Sequence, residues 1–205
     1  MSDAGRHISE FAARFWQRKL THAQHHLACR ALLDTYAAAI AGAKEDATRL
    51  AERHAAKTFA SGPATVWTNG AKLSPEGAAW TNAIAGHVLD FDDVMTHMRA
   101  HVSVTLVPAL LALGQANGAT IGDFASAYVC GIEVMAKFAR AMALPHYTKG
   151  WHSTSSLGIL GTTAACATAR PSASPICSGL KRSSAPQAAV VPRIPSEDVE
   201  CQPLV

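Results

Sequence analysis

The segment VSVTLVPALLALGQANGATIGDFASAYVCGIEVMAKFARAMA, residues 102–143, decides the fold class of this chain. Residues 102–116 form an apolar stretch of helical length, in which Pro108 marks either a kink or a late helix start. The polar sequence ANGAT then breaks the pattern. Residues 121–143 repeat apolar side chains at helical spacing: Phe124, Tyr128, Ile132, Met135 and Phe138. The segment therefore predicts two core helices joined by a short turn.

The same spacing extends outward from these two helices. It predicts further helices over residues 8–18, 22–42, 44–58, 75–90 and 154–169, with a polar break at LPHYTKGWHSTSS. A minor β element is expected near residues 64–67, followed by an Asn69-Gly70 turn signal. Neither βαβ alternation nor an internal repeat is found in the sequence. We therefore predict an all-α body over residues 8–169.

Composition restricts the function classes. The chain has 205 residues, is 49% hydrophobic and carries a net charge of only +3, which argues against nucleic-acid binding. The five cysteines form no CxxC pair, as expected for free thiols in a reducing compartment. The N-terminus has no signal-peptide pattern, and no stretch indicates a membrane span. We therefore expect a cytoplasmic protein without membrane or nucleic-acid partners.

The composition changes at Pro171. Residues 171–205 hold six of the ten prolines and six serines, with no aromatic residue and no apolar periodicity. Such a segment cannot bury enough surface to offset its ordering entropy. The sequence thus predicts a helical domain over residues 1–170 and a disordered tail over residues 171–205.

Ionisable residues cluster in HVLDFDDVMTHMRAHVSV, residues 87–104, which contains Asp90, Asp92 and Asp93. On an ideal helix, Asp90 would share a face with the histidines at 97 and 101, but MTHMRAH has no core pattern and favours a loop. Carboxylates and imidazoles near a buried helix end are typical of proton-transfer sites. Aspartate and histidine also leave a metal site open, although no HExxH-like or CxxC spacing occurs.

A second candidate region is HYTKGWHSTSS, residues 146–156. His152 precedes Ser153 and Thr154, which are both good N-caps for the following helix. Backbone N–H groups at a helix N-terminus attract anions, and Lys149 adds a cation nearby. A carboxylate substrate could dock there, or these residues could simply cap the helix and pack against it.

Four blocks, in this order and spacing, resemble the N-terminal part of the MmgE/PrpD family over residues 8–170: AWTNAIAGHVLDFDDV, HVSVTLVPALLAL, GIEVMAKFARAM and GWHSTSSLGILGTTAACATA. The family includes 2-methylcitrate dehydratase, cis-aconitate decarboxylase and related epimerases. The resemblance implies a large helical domain, a separate α+β lid encoded later in the chain, and a homodimer. It also implies chemistry on di- or tricarboxylates without a metal or another cofactor.

The resemblance assigns the active-site aspartate to Asp90 and the two active-site histidines to His101 and His152. We expect further substrate contacts from four neighbouring residues: Asp93, Val94, Lys149 and Ser153. The sequence departs from the family pattern at Val94, where members often have threonine, and at Val102, where they have proline.

After residue 170 the sequence no longer resembles the family, whose members continue with active-site lysines and the lid. We therefore expect a truncated or frame-shifted product with little lyase activity by itself. One alternative is a non-catalytic remnant that folds or dimerises without turnover. Another is a terpene cyclase, suggested by the DxDD string at Asp90–Asp93, but an aromatic content of 6% is low for stabilising carbocations.

Overall fold

The computed structural model describes residues 3–15 and 18–169, without the side chains at 3, 4, 143 and 144. The predicted tail, residues 171–205, lies outside the described residues. Within them the chain forms seven α-helices: α1 (Asp3–Phe15), α2 (His22–Ala41), α3 (Asp46–Thr58), α4 (Pro75–His87), α5 (Ser103–Asn117), α6 (Ile121–Thr148) and α7 (Ser153–Thr168). A 3-10 turn at Gly42–Lys44 connects α2 to α3. The predicted all-α body is confirmed.

Local signals in the sequence explain where several helices begin. Thr21 begins α2 and Thr120 begins α6, each through a capping box with the side chain three residues later. Ser74 accepts a hydrogen bond from the N–H of Gly77 and is followed by proline at the first position of α4. These caps satisfy N–H groups that have no partner within the helix.

Some predicted helix boundaries were wrong. The first helix spans Asp3–Phe15 rather than residues 8–18, and α4 ends at His87 rather than at residue 90. The polar break after residue 143 begins later than predicted, because α6 continues through Pro145 to Thr148. Pro108 likewise lies inside α5 rather than at its start. Pro108 is fully buried, so tertiary packing outweighs local propensity at that position.

Two short β-hairpins interrupt the helices. The first pairs β1 (Ala64–Thr65) with β2 (Lys72–Leu73), where a minor β element was predicted. The second pairs β3 (Val94–Met95) with β4 (Ala100–His101). The prediction of a loop over residues 95–100 was therefore wrong at both ends, and the alternative of a continuous helix through residues 90–101 is excluded. A two-residue strand carries no periodicity, so no sequence pattern predicted the second hairpin.

The core is formed mainly by α5, α6 and α7. Its largest buried side chains include Leu106, Met135 and Leu157, one from each of these helices. A Cβ atom placed on Gly161 of α7 would lie 2.9 Å from the carbonyl oxygen of Gly131 in α6. The two backbones therefore approach closely, which the small residues of α7 permit. In the described part of the chain, none of the helices is both long and apolar enough to span a bilayer.

Candidate active site

The C-terminal end of α4 supplies the first side chains of the candidate site. His87 is the last helical residue, and the backbone N–H of Asp90 donates to its carbonyl oxygen at 2.9 Å. Asp90 has a φ of 51°, in the left-handed region that aspartate tolerates better than most residues. The chain consequently turns sharply after α4 and carries the next aspartates back towards the helix end.

The β3–β4 hairpin returns the chain to the same place. Its register sets His101 opposite Val94, and Arg99 takes a φ of 48° in the connecting turn. The rings of His87 and His101 consequently meet edge to face, with their centroids 4.7 Å apart. Two histidines that are fourteen positions apart in sequence thus become direct neighbours.

Two aspartates and two histidines alternate through this cluster. Asp90 Oδ1 lies 3.2 Å from His101 Nε2, and His101 Nδ1 lies 3.2 Å from Asp92 Oδ2. Asp92 Oδ1 lies 3.0 Å from His87 Nδ1. The Asp90 side chain is 79% exposed, whereas that of Asp92 is 0% exposed. We call this Asp90–His101–Asp92–His87 series the relay; it leads from solvent to a buried carboxylate.

The buried carboxylate changes the acidity of its partner. The hydrogen bond with Asp92 raises the pKa of His87 above its ordinary value of 6.5, and this effect outweighs partial burial, which lowers it. The negative charges of Asp92 and Asp90 act in the same direction as the hydrogen bond. The protonated form of His87 is therefore favoured at this position.

Asp93 faces away from the relay and anchors α5. It accepts hydrogen bonds from the backbone N–H and the hydroxyl of Ser103, the first residue of that helix. The Ser103 hydroxyl also lies 2.7 Å from the Tyr128 hydroxyl in the core. Burial raises the pKa of Tyr128 to about 12, so this phenol stays protonated at neutral pH. Asp93, expected to contact substrate, thus has clear structural partners.

The turn between α6 and α7 brings in the remaining histidine. Gly150 has a φ of 83°, which an L side chain rarely adopts, and His152 occupies the N-cap position of α7. His152 Nδ1 lies 2.9 Å from the Ser155 hydroxyl. Burial, followed by the positive charges of His87 and His101, lowers the pKa of His152 below 6.5. The neutral imidazole is therefore favoured here.

A hydrogen bond joins the two regions. The backbone N–H of His101 donates to the Thr154 hydroxyl at 3.0 Å, so β4 is tied to the first turn of α7. A cavity of about 380 Å³ opens beside this junction. Its walls include His87, His152 and Thr154 together with apolar side chains: Trp80, Ile84, Val104 and Pro108. An apolar cavity with a few convergent polar groups is the usual form of a small-molecule site.

A second cavity, of about 260 Å³, lies on the other side of the α7 N-terminus. Its lining includes His97, Arg99, Arg140, His146 and Ser153. Ser153 is buried there, at the first position of α7. Lys149 caps the end of α6 and is exposed, and it is not among the residues that line either cavity.

The structure brings some of the expected residues together and separates others. Asp90 and His101 are in contact, but neither of them lines the cavity whose wall His152 shares with His87. Val94 lies opposite His101 in the hairpin with its side chain 59% exposed. The sequence reasoning gave no role to His87 or to Asp92, although the DFDD string contained the second of these.

Comparison with known proteins matches the chain to a family model and to a characterised enzyme. The sequence model of the MmgE/PrpD N-terminal domain matches residues 6–171. The cis-aconitate decarboxylase of Homo sapiens is 31% identical over 142 residues, which cover 66% of this chain and 29% of that enzyme. The chain therefore spans less than a third of the curated relative that it matches.

Proposed function

The chain belongs to the MmgE/PrpD family, and from this premise we propose that it forms the helical part of a lyase site for small di- or tricarboxylates. The proposed chemistry is proton transfer at a carbon atom next to a carboxylate, without a metal or another cofactor. The relay, beside a cavity that ends at a helix N-terminus, is the observation that carries this proposal.

The relay places proton-binding side chains in series, although the contact between His101 Nδ1 and Asp92 lacks hydrogen-bond geometry. Each nitrogen of His101 has a carboxylate oxygen 3.2 Å away, and the exposed Asp90 at one end can exchange protons with water. Histidine is the side chain best suited to both taking up and releasing a proton near neutral pH. We assign Asp90 to orient His101, and His101 to proton donation towards the substrate together with its ring neighbour His87, which lines the cavity.

His152 is the proposed base. Its lowered pKa keeps the ring neutral at pH 7, and Ser155 fixes the orientation of the imidazole. The N-terminal N–H groups of α7, together with the hydroxyl of Thr154, would attract a substrate carboxylate, because the first turn of α7 carries no acidic residue. Pairing a neutral imidazole with a helix N-terminus in this way suits abstraction of a proton next to a bound carboxylate.

We propose dehydration of a hydroxy-tricarboxylate such as 2-methylcitrate as the reaction. The base takes a proton from the carbon next to a carboxylate, and the C–H electron pair forms a double bond as hydroxide leaves the neighbouring carbon. A proton from the acid converts that hydroxide to water. In the alternative, decarboxylation of cis-aconitate, CO₂ departs and the same acid protonates the carbanion. The second reaction is the one named for the human relative.

Deuterium exchange separates binding and proton transfer from complete turnover. The protein would be incubated in D₂O with 2-methylcitrate or cis-aconitate, and NMR would follow both exchange of the acidic C–H and product formation. We expect exchange or product with at least one tricarboxylate, loss of both in His152→Gln, and loss of product in His101→Gln. His54→Gln is a matched control on α3, where that exposed histidine contacts Thr58.

Two results would contradict the proposal. One is a folded protein that neither binds nor exchanges any tricarboxylate, as the non-catalytic alternative predicts. The other is exchange that persists in His152→Gln. Activity on an isoprenoid diphosphate instead would favour the terpene-cyclase alternative.

A further inference from the structure

Four side chains of the relay have the composition of a metal site. His87, Asp90, Asp92 and His101 each offer one ligand atom, and these atoms all lie within 4.8 Å of one another. They supply two imidazole nitrogens and two carboxylate oxygens. We propose that this cluster binds a divalent transition-metal ion, with Zn²⁺ as the best-matched ion.

The spacing is close to that of a four-coordinate site. Ligand atoms bonded to tetrahedral Zn²⁺ at 2.0–2.2 Å lie about 3.3–3.6 Å from one another. His87 Nδ1 lies 3.0 Å from Asp92 Oδ1, and the four ligand atoms of the cluster all lie within 4.8 Å of one another. The Asp90 side chain is largely exposed, so its rotation can shorten the longer separations without disturbing the core.

Two features of the cluster favour an added cation: its buried carboxylate is paired only with histidines, and one of its ring nitrogens has no hydrogen-bond partner. The Asp92 carboxylate has no exposed surface, and among the residues that the structure describes its ion-pair partners are histidines, with neither lysine nor arginine within 4.0 Å. His101 Nδ1 is buried without a hydrogen-bond partner, because its approach to Asp92 lacks hydrogen-bond geometry. Burying a carboxylate without a permanent cation is costly. A bound cation would offset that cost and occupy the orphaned nitrogen.

The ligand types select the class of metal. Imidazole together with carboxylate suits Zn²⁺, Co²⁺, Ni²⁺ and Cu²⁺, whereas Mg²⁺ and Ca²⁺ prefer oxygen ligands alone. Contacts outside the cluster fix the backbone that carries the ligands: the β3–β4 pairing and Thr154 hold His101, and the turn after α4 holds Asp90. Such supporting contacts are typical of real metal sites.

Metal binding and the proposed chemistry would exclude each other. Asp90 and His101 cannot coordinate an ion and also serve a substrate. Zn²⁺ at this site is therefore expected to inhibit any lyase activity, and this consequence rests on the proposed function. The binding itself does not rest on that function.

The test is titration of tag-free, EDTA-treated and dialysed full-length protein with Zn²⁺ by calorimetry, and with Co²⁺ by visible absorption. We expect one metal ion to bind tightly per protein molecule, and Co²⁺ to show the intense visible bands of four-coordinate geometry. Loss of a group that only hydrogen-bonds a metal ligand commonly weakens metal binding by roughly 10–100-fold, so removing a ligand itself in Asp90→Asn or His87→Gln should weaken binding by more than about 10-fold. His22 and His26, whose rings stack one turn apart on α2, form a competing surface site, so His22→Gln/His26→Gln is the control.

Two results would overturn the proposal. One is loss of tight metal binding in His22→Gln/His26→Gln, and the other is unchanged metal binding and Co²⁺ spectra in Asp90→Asn. Asp90 is exposed, so Asp90→Asn decides the question even where His87→Gln fails to fold. Tricarboxylate binding by the EDTA-treated protein tests the proposed function separately, so either proposal can fail without the other.

Discussion

The backbone N–H of His101 donates a hydrogen bond to the Thr154 hydroxyl at 3.0 Å, and this contact joins segments 53 positions apart. It ties the β3–β4 hairpin to the first turn of α7. The position of His101 relative to His152 therefore depends on the hydroxyl of Thr154.

Replacing this hydroxyl tests its positioning role. We predict that Thr154→Val lowers the free energy of unfolding by about 1 kcal/mol, because the His101 N–H loses its acceptor. Thr154→Ser, which keeps the hydroxyl, should restore stability. Urea denaturation measures both, and the substrate exchange assay should fall with valine and recover with serine. Equal behaviour of the two variants would contradict a role for the hydroxyl.

The contact between α6 and α7 limits side-chain size at Gly161. A Cβ there would press against Met135 and lie 2.9 Å from the carbonyl oxygen of Gly131. We predict that Gly161→Ala destabilises the fold by about 1–3 kcal/mol through overpacking. Gly114→Ala is the matched control, since its Cβ would meet only Ala119 at 3.5 Å and alanine favours helix by up to about 1 kcal/mol. Thermal unfolding should shift in opposite directions for the two variants.

The acidity of His152 is open to direct measurement. Because burial and neighbouring histidines lower its pKa, its NMR titration midpoint should lie below 6.5. Between that midpoint and 6.5 the unfolded chain binds more protons at this residue than the folded chain does. The contribution of His152 to stability is thus fully present above pH 6.5 and is lost as the pH falls through the folded-state pKa. The free energy of unfolding should be measured against pH for the wild type and for His152→Gln. The two curves should converge as the pH falls and this contribution disappears; parallel curves would contradict the assignment.

Cys130 should resist alkylation. It is fully buried between α1, α6 and α7, and burial raises its pKa to about 11. Since the thiolate is the reactive form, we predict negligible labelling of Cys130 by iodoacetamide at pH 8 in the folded protein. Cys29, a free and only half-buried thiol of α2, should be labelled faster. Peptide mass spectrometry measures both residues, and in concentrated urea the difference should vanish.

Self-association is predicted from an apolar face of α2. Leu33, Tyr36 and Ile40 share that face and are 67%, 40% and 44% exposed. Exposed apolar patches commonly mark interfaces, and the family resemblance implies a homodimer. We therefore expect a dimer by size-exclusion chromatography with light scattering, weakened by Leu33→Glu. Ile121→Glu, which changes a comparably exposed side chain at the start of α6, is the control.

Much of the helical body could be predicted because its signals are local. The caps at Thr21, Ser74 and Thr120 lie within three residues of the groups that they bond. The spacing of apolar residues along α6 is likewise a property of that one segment, so it can be recognised without knowing what the helix packs against. The continuation of α6 through Pro145 could not be predicted in this way, because it runs against local propensity.

By itself, the sequence determined the helical class, the family resemblance and the candidate residues Asp90, His101 and His152. Only the tertiary structure decided how they meet: two-residue strands return His101 to His87, Asp92 is buried between them, and Thr154 brings α7 alongside. Capping and periodicity act over a few neighbouring residues, so both can be recognised in the sequence. Burial of a carboxylate, and the pKa values that follow from it, depend on groups that become neighbours only after the helices have packed together.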